Sequence, residues 1–384
     1  MKRILTIIGA RPQIIKAAAI SRAISSKFSD QLQEDLLHTG QHYDENMSDV
    51  FFKEMGIPQP AYKLNVGSGS HGAQTATMMK GIEDVLLEKK HDAVLVYGDT
   101  NSTIAGALAA VKIHIPVIHV EAGLRSFSKA MPEEINRILC DHSSTLLYSP
   151  TAQGISNLTK EGIIHHENGL TPDAPRVYHC GDIMYDNSLH FSKKAQTEST
   201  ILHKLGIEEN NFILCTIHRN NNTDEPERLE SILNGILSIA ELSGKKIVLP
   251  LHPRTKGKLS QEWNEKLSAN GSIICTDPIS FIDIVRLEST CFMVITDSGG
   301  VQKEAYFFNK PCIILREQTE WVELVQNGNA ELAGWQSNQI ITCYNSLISK
   351  SKNMTWPSFF GDGTSSEFIC KTIISFLTDA DTVR

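Results

Sequence analysis

Short apolar runs and longer amphipathic stretches alternate along this chain from end to end. Ile4–Gly9, Leu36–Thr39, Ala93–Gly98, Val117–Val120 and Leu146–Ser149 are strand-like, and a second series follows at Phe212–Thr216, Lys246–Pro250, Ser272–Cys275, Phe292–Thr296 and Cys312–Leu315. Between them, Ile14–Ser25, Gln74–Leu87, Ser102–Val111, Glu227–Leu242 and Gln302–Phe308 carry a helical period. Strands apolar on both faces and separated by helices belong to parallel sheets covered on each side. Two such series predict an α/β protein of two Rossmann-like, doubly wound domains. The polar, Pro-containing segment His165–Arg176 separates the series and places the boundary at 175/176, with a second domain over 176–365. A last apolar pattern, Phe368–Leu377, reads as a helix with no strand after it.

Composition narrows the function. A length of 384 residues suits two domains, and a formal charge of −8 argues against a general nucleic-acid binder. The eight cysteines are scattered without a CxxC pair, as expected of reduced thiols in a cytoplasmic protein. Met1–Pro12 reads as a first buried strand rather than a signal peptide. No apolar run approaches the roughly 20 residues that cross a bilayer.

In open parallel sheets ligands bind beyond the carboxyl ends of strands, so the chemistry should lie there. The first strand runs into Gly9-Ala10-Arg11-Pro12-Gln13-Ile14-Ile15-Lys16. Pro12 suits the first turn of a helix, which sets Arg11 and Lys16 near a helix N-terminus, a poor place for cations unless an anion joins them. Asp99 follows Tyr97-Gly98, Glu121 follows His119-Val120, and Glu133 and Glu134 follow Pro132. Each could be a cap or first-turn carboxylate, yet several acids on one rim suit acid–base work, because close carboxyls drive their pKa values apart. In the second series, His218 beside Arg219 and His252 near Arg254 end two strands. Asp297-Ser298-Gly299-Gly300 leads a strand into a helix whose free N–H groups suit phosphate oxygens. Glu304 lies a turn further on, and Arg316 begins another strand-end loop. The histidines have no HxH, HxxxH or HExxH spacing, so no metal is expected. Gly67-Ser68-Gly69-Ser70-His71-Gly72 matches GxGxxG, but it does not follow the first strand, so no nicotinamide cofactor is expected.

Together GARPQIIK, TGQHYDENM, YGDTNST, HVEAGLRS, PEEINR, IHRNNN, HPR, TDSGGVQKEA and REQTEWVE resemble the non-hydrolysing UDP-N-acetylglucosamine 2-epimerase family. The resemblance implies a glycosyltransferase-B-like pair of domains with the active site in the interdomain cleft, and a C-terminal helix, 366–384, returning to the first domain, 1–175. It implies a cofactor-free isomerase acting on a UDP-sugar in surface-polysaccharide precursor synthesis, and a homodimer. Asp99, Glu121, Glu133 and His218 match the catalytic positions. Arg11, Lys16, Arg137, His252, Ser298, Gly299, Gly300, Glu304 and Arg316 match the binding positions. Gln41 and His42 match a region where some members bind a second UDP-sugar as activator. Where many members read GTRPE and TERPE, this chain reads GARPQ and TEWVE. Those variants resemble the branch acting on UDP-linked 2,3-diacetamido-2,3-dideoxyglucuronate. A hydrolysing epimerase and a glycosyltransferase of the same architecture are the alternative readings.

Overall fold

A computed structural model describes residues 1–41, 52, 54–251 and 253–383. The chain divides into two compact units, Met1–Asn187 with Ser358–Arg384, and Ser188–Pro357.

The first unit is built on a seven-stranded parallel sheet. Its strands are β1 (Lys2–Ile8), β2 (Leu32–His38), β3 (Tyr62–Lys63), β4 (Ala93–Tyr97), β5 (Val117–Val120), β6 (Leu146–Ser149) and β7 (Arg176–His179). They lie in the order β3-β2-β1-β4-β5-β6-β7. Leu5 and Ile7 of β1 and Val94 and Val96 of β4 are buried against Met78, Ile82, Ala105 and Ala109 of the covering helices. The order reverses beside β1, so the tips of β1, β4 and β5 converge where this topology leaves a crevice.

The expected boundary at 175/176 falls too early. Arg176–His179 pairs with β6 as the last strand of the first sheet. The side chain of Arg176 is buried, donating to the Gly169 carbonyl at 2.9 Å and to Asp379 at 3.0 Å. The C-terminal helix, Ser365–Val383, belongs to this unit too. Tyr148 and Thr372 hydroxyls lie 2.7 Å apart, and Asp186 accepts from the N–H groups of Ser365 and Ser366.

The second unit carries a six-stranded parallel sheet, β10-β9-β8-β11-β12-β13. Its strands are β8 (Phe212–Thr216), β9 (Lys246–Pro250), β10 (Ile273–Thr276), β11 (Met293–Thr296), β12 (Cys312–Ile314) and β13 (Ala330–Leu332). Ile213, Leu249, Ile295 and Ile313 pack with Ile232, Ile236 and Ile340 in its core. All eight cysteines are free thiols; Cys275 is exposed and Cys180 partly so, while the others are buried. No helix among the described residues is long and apolar enough to cross a membrane.

Candidate active site

The tips of β1, β4 and β5 gather most of the expected first-unit residues. Arg11 opens the helix Arg11–Ala23 and is exposed, with Pro12 in its first turn. One turn on, the ammonium of Lys16 is paired with the Glu121 carboxylate. The anion that offsets a cation near a helix start is here another strand's carboxylate. Both groups border Gly98, where an added Cβ would lie 3.2 Å from Glu121 Oε2 and 3.2 Å from Lys16 Nζ.

Glu121 has φ +78°, in the left-handed region that favours glycine. A non-glycine residue there carries about 1–3 kcal/mol of strain that its surroundings must hold. The N–H groups of Glu121 and Ala122 both donate to the Tyr148 carbonyl at 3.0 Å. Gly123, at φ +81°, packs so closely that an added Cβ would sit 2.4 Å from the Gly154 carbonyl oxygen.

Asp99 and Glu133 line one hollow of about 410 Å³ with Gln41, His71, Gln74, Asn101 and Asn136. Arg137 binds Asp99 at 2.5 Å through one nitrogen and Glu134 at 2.9 Å through another. The adjacent glutamates on the helix Pro132–Ser143 differ in role. Glu133 is exposed, whereas Glu134 is buried and accepts from Ser126 N–H, Ser126 Oγ and Phe127 N–H. Burial alone would raise the Glu134 pKa, but hydrogen bonds from Ser126, Arg137 and Phe127 hold it below the usual carboxylate value. Gln41 is buried, its side-chain oxygen accepting from Ser102 N–H at 3.0 Å and Ser102 Oγ at 2.6 Å.

In the second unit, Ser298 caps the helix Gly299–Phe307 by accepting from Val301 N–H at 3.5 Å, and Gly299 and Gly300 form its first turn. Asp297 is fully buried and accepts from the N–H groups of His218 and Arg219 and from Asn222 Nδ2, each near 3.0 Å. One carboxyl thus brings the His218 loop against the Ser-Gly-Gly turn, leaving the His218 side chain exposed. Arg316 binds Glu320 at 2.8 Å, and Arg219 lies 3.8 Å from the same carboxylate. Burial raises the pKa of Glu320, and the Arg316 hydrogen bond and charge outweigh it and lower it. Glu304 lies beside the turn, its Oε2 3.9 Å from where a Cβ on Gly300 would stand.

His42 and His252 lie outside the described residues. Sequence reasoning missed His71, Gln74, Asn101 and Asn136, all on the hollow that holds Asp99 and Glu133. The Gly67–Gly72 stretch matches a dinucleotide fingerprint in its letters alone. It leads into the helix His71–Glu88, and Ser68, Gly69 and His71 line the hollow. Its best clue was polar, small-residue composition before a helix. Among the described residues, no group of three or more His, Cys, Asp or Glu could hold a metal ion.

Two parallel α/β sheets, each with charged and polar groups at its strand tips, are the elements of a glycosyltransferase-B-like fold. The profile described as UDP-N-acetylglucosamine 2-epimerase matches residues 26–374, and the chain belongs to that family of isomerases. It is 46% identical to the UDP-2,3-diacetamido-2,3-dideoxy-D-glucuronate 2-epimerase of Pseudomonas aeruginosa, over 91% of this chain and 93% of that one. It is 42% identical to a UDP-N-acetylglucosamine 2-epimerase of Methanocaldococcus jannaschii, over 96% and 97%. The crystal structure of a UDP-GlcNAc 2-epimerase from that organism in complex with UDP-GlcNAc and UDP aligns with a TM-score of 0.80 at 40% identity, covering 97% of this chain and 99% of the other. The Neisseria meningitidis enzyme bound to UDP-GlcNAc aligns with a TM-score of 0.83 at 30% identity, covering 97% and 100%.

Proposed function

We propose that this chain is a non-hydrolysing UDP-N-acetylglucosamine 2-epimerase, interconverting UDP-GlcNAc and UDP-ManNAc for surface-polysaccharide precursors in the cytoplasm. The observation that carries the reading is the set of acids Asp99, Glu121 and Glu133 on one rim of the first sheet, two of them paired with Arg137 and Lys16. The hydrogen on C2 of such a sugar is not beside a carbonyl, so direct deprotonation is unfavourable. Breaking the C1–O bond instead sends its electron pair out with UDP. The C2–H pair becomes the C1=C2 bond of 2-acetamidoglucal, and the proton passes to an enzyme carboxylate. Readdition of UDP at C1 with protonation of the opposite face of C2 gives the epimer.

In this reading the three acids share the proton transfers. On the UDP side, the Ser298–Gly300 turn, His218, His252, Arg316 and Arg11 stabilise the diphosphate, and Glu304 takes the ribose. Lys16 and Arg137 hold the Glu121 and Asp99 carboxylates in place. Gln41, with His42, belongs to a second UDP-sugar site that activates the enzyme. Turnover in D₂O should place deuterium at C2 of the product, and of recovered substrate by reversal, while UDP-sugar is conserved. Full epimerisation with retained C2 hydrogen would sink the elimination route. Stoichiometric free sugar and UDP would instead identify a hydrolase, and dependence on an acceptor a transferase.

A second reading has specific support in the 46% identity to the Pseudomonas aeruginosa diacetamido-glucuronate epimerase. It keeps the same chemistry and changes only the sugar. Turnover of UDP-2,3-diacetamido-2,3-dideoxyglucuronate far exceeding that of UDP-GlcNAc would select it.

The active species in this proposal is a homodimer. Ile135 and Leu139, on one face of the helix Pro132–Ser143, are 45% and 46% exposed, and Phe127 nearby is 78% exposed. A contiguous exposed apolar patch is the kind of surface that a second copy of the chain would cover. A monomeric mass by light scattering at assay concentrations would exclude the dimer.

A further inference from the structure

One fully buried ionisable side chain lies between the two acidic strand tips and has no part in the chemistry above. His119 sits on β5, two residues before Glu121, and is completely shielded from solvent. Its Nε2 lies 2.8 Å from the carbonyl oxygen of Gly98, the residue before Asp99. Its Nδ1 lies 2.7 Å from Oδ1 of Asp141, on the helix Pro132–Ser143. A carbonyl oxygen only accepts, so Nε2 carries a proton. Asp141 is engaged as an acceptor elsewhere: its Oδ2 takes the Gly123 N–H at 3.1 Å and lies 2.7 Å from Arg125 Nη1. Neutralising Asp141 would forfeit the charge that holds Arg125, so its Oδ1 accepts as well and Nδ1 carries the second proton.

The two ends of this contact matter as much as its charge. Through Nε2, His119 holds Gly98, which has φ +63° and precedes Asp99. Through Asp141 it holds Gly123, the third residue of the strained Glu121–Gly123 turn. The carbonyls on either side of Gly98 are held too, Tyr97 by Gln13 Nε2 at 3.1 Å and Asp99 by Asn136 Nδ2 at 2.9 Å. His119 alone of these donors also reaches the second acidic tip.

We propose that His119 is a doubly protonated positioning residue that fixes the separation of the Asp99 and Glu121 carboxylates by clamping Gly98 directly and Gly123 through Asp141. The proposal rests on those carboxylates moving the C2 proton, where a misplacement of about 1 Å costs on the order of 10²-fold in rate. The titratable groups facing the ring are Asp141 and Cys140 of the helix, with Arg125 on the far oxygen of Asp141. Burial alone would favour the neutral ring; Cys140 and Asp141 reverse this and set the imidazolium well above its ordinary pKa. Arg125 continues the network to Glu161, at 2.7 and 2.6 Å. Two cations therefore face two carboxylates, of which Asp141 is fully buried and touched by both cations while Glu161 reaches solvent.

Two measurements on the full-length chain test this. Nitrogen-15 NMR of the histidine side chains should show one ring, absent in His119→Gln, protonated at both nitrogens across pH 6 to 8.5. A neutral tautomer in that window overturns the proposal, and this result does not depend on any activity. In turnover assays with UDP-GlcNAc and the diacetamido-uronate, Asp141→Asn should lower kcat about 10²-fold while KM and calorimetric UDP binding stay within about threefold. Its kcat should also fall as pH rises through the neutral range, because the ring has lost its anion. A pH-independent loss shared equally by kcat and KM would mark the histidine as merely structural and overturn the positioning role. If the wild type epimerises neither sugar, the functional reading fails, while the NMR still decides the protonation of His119.

Discussion

The two units solve one problem, presenting polar groups beyond the ends of parallel strands, with opposite electrostatics. The first unit presents carboxylates, and fixes them with donors: Lys16, Arg137, Asn136 and His119 all hold either the acids or their backbone. The second presents cations and free N–H groups, and fixes them with acceptors: Asp297 gathers His218, Arg219 and Asn222, while Glu320 holds Arg316. Each rim is thus braced by the charge opposite to the one it offers. That brace limits the repulsion among like groups, and it leaves Glu121 strained where a relaxed residue would be cheaper.

The comparison is broken most severely by removing charge from the acidic rim. Glu121→Gln keeps the side-chain shape but loses the ion pair with Lys16 and any acid–base role. Turnover should fall by about 10²–10⁴-fold, with calorimetric UDP binding almost unchanged. Near-normal turnover would remove Glu121 from the mechanism.

Removing the brace from the other rim should act on stability as well as binding. Asp297→Ala leaves the N–H groups of His218 and Arg219 and the Asn222 amide without their acceptor. Such losses cost about 2–4 kcal/mol in total, measurable by denaturant unfolding, and UDP affinity should fall with the His218 loop. Unchanged stability would mean that water replaces the carboxyl.

A smaller effect is expected at the turn itself. A side chain on Gly299 would start 3.7 Å from the Glu320 carboxylate and 3.7 Å from Trp321 Nε1, and would occupy the space above the helix N-terminus. Gly299→Leu should weaken UDP binding by about tenfold, roughly 1.4 kcal/mol, with thermal stability little altered. Unchanged affinity would place the phosphate elsewhere.

These tests bear on how much of the molecule its sequence makes visible. The long apolar strands are legible because burial on both faces leaves a continuous apolar signature. Arg176–His179 and Ala330–Leu332 are not, since short edge strands with polar residues resemble loops. Asp99, Glu121 and the Ser298 turn are legible because they directly follow apolar runs. Glu133 and Glu134 are adjacent in sequence, and only the helix turn between them decides which is buried. Two departures from the family pattern, which resemble the diacetamido-glucuronate branch, also have accounts inside the fold. The Gln13 amide donates to Tyr97 O and Thr103 Oγ1 while accepting from Gly9 and Ala10 N–H, a combination that an ionised glutamate lacks. Trp321 donates its indole N–H to the Gly299 carbonyl at 3.0 Å and lies under the Lys303 ammonium at 4.2 Å. The Tyr97, Thr103, Gly299 and Lys303 partners lie far from Gln13 or Trp321 in sequence, so no local motif displays them.

The smallest predicted effect separates the two adjacent glutamates by pH. Glu134 has a folded pKa below its ordinary value, because the hydrogen bonds from Ser126, Arg137 and Phe127 outweigh its burial. A depressed carboxyl binds fewer protons folded than unfolded, so its stabilisation is fully present above the unfolded pKa, about 4.5. It is lost as pH falls from there through the folded pKa. Glu134→Gln should therefore reduce stability near neutrality by on the order of 1 kcal/mol, and the deficit should shrink as the pH falls below about 4.5. Glu133→Gln, at an exposed position on the same helix, should instead lower turnover with little change in stability near neutrality. Denaturant unfolding of both variants between pH 3 and 7 makes the measurement. A deficit in Glu134→Gln that stays constant with pH would mean its hydrogen bonds survive protonation, and that the first unit's brace is one of geometry more than of charge.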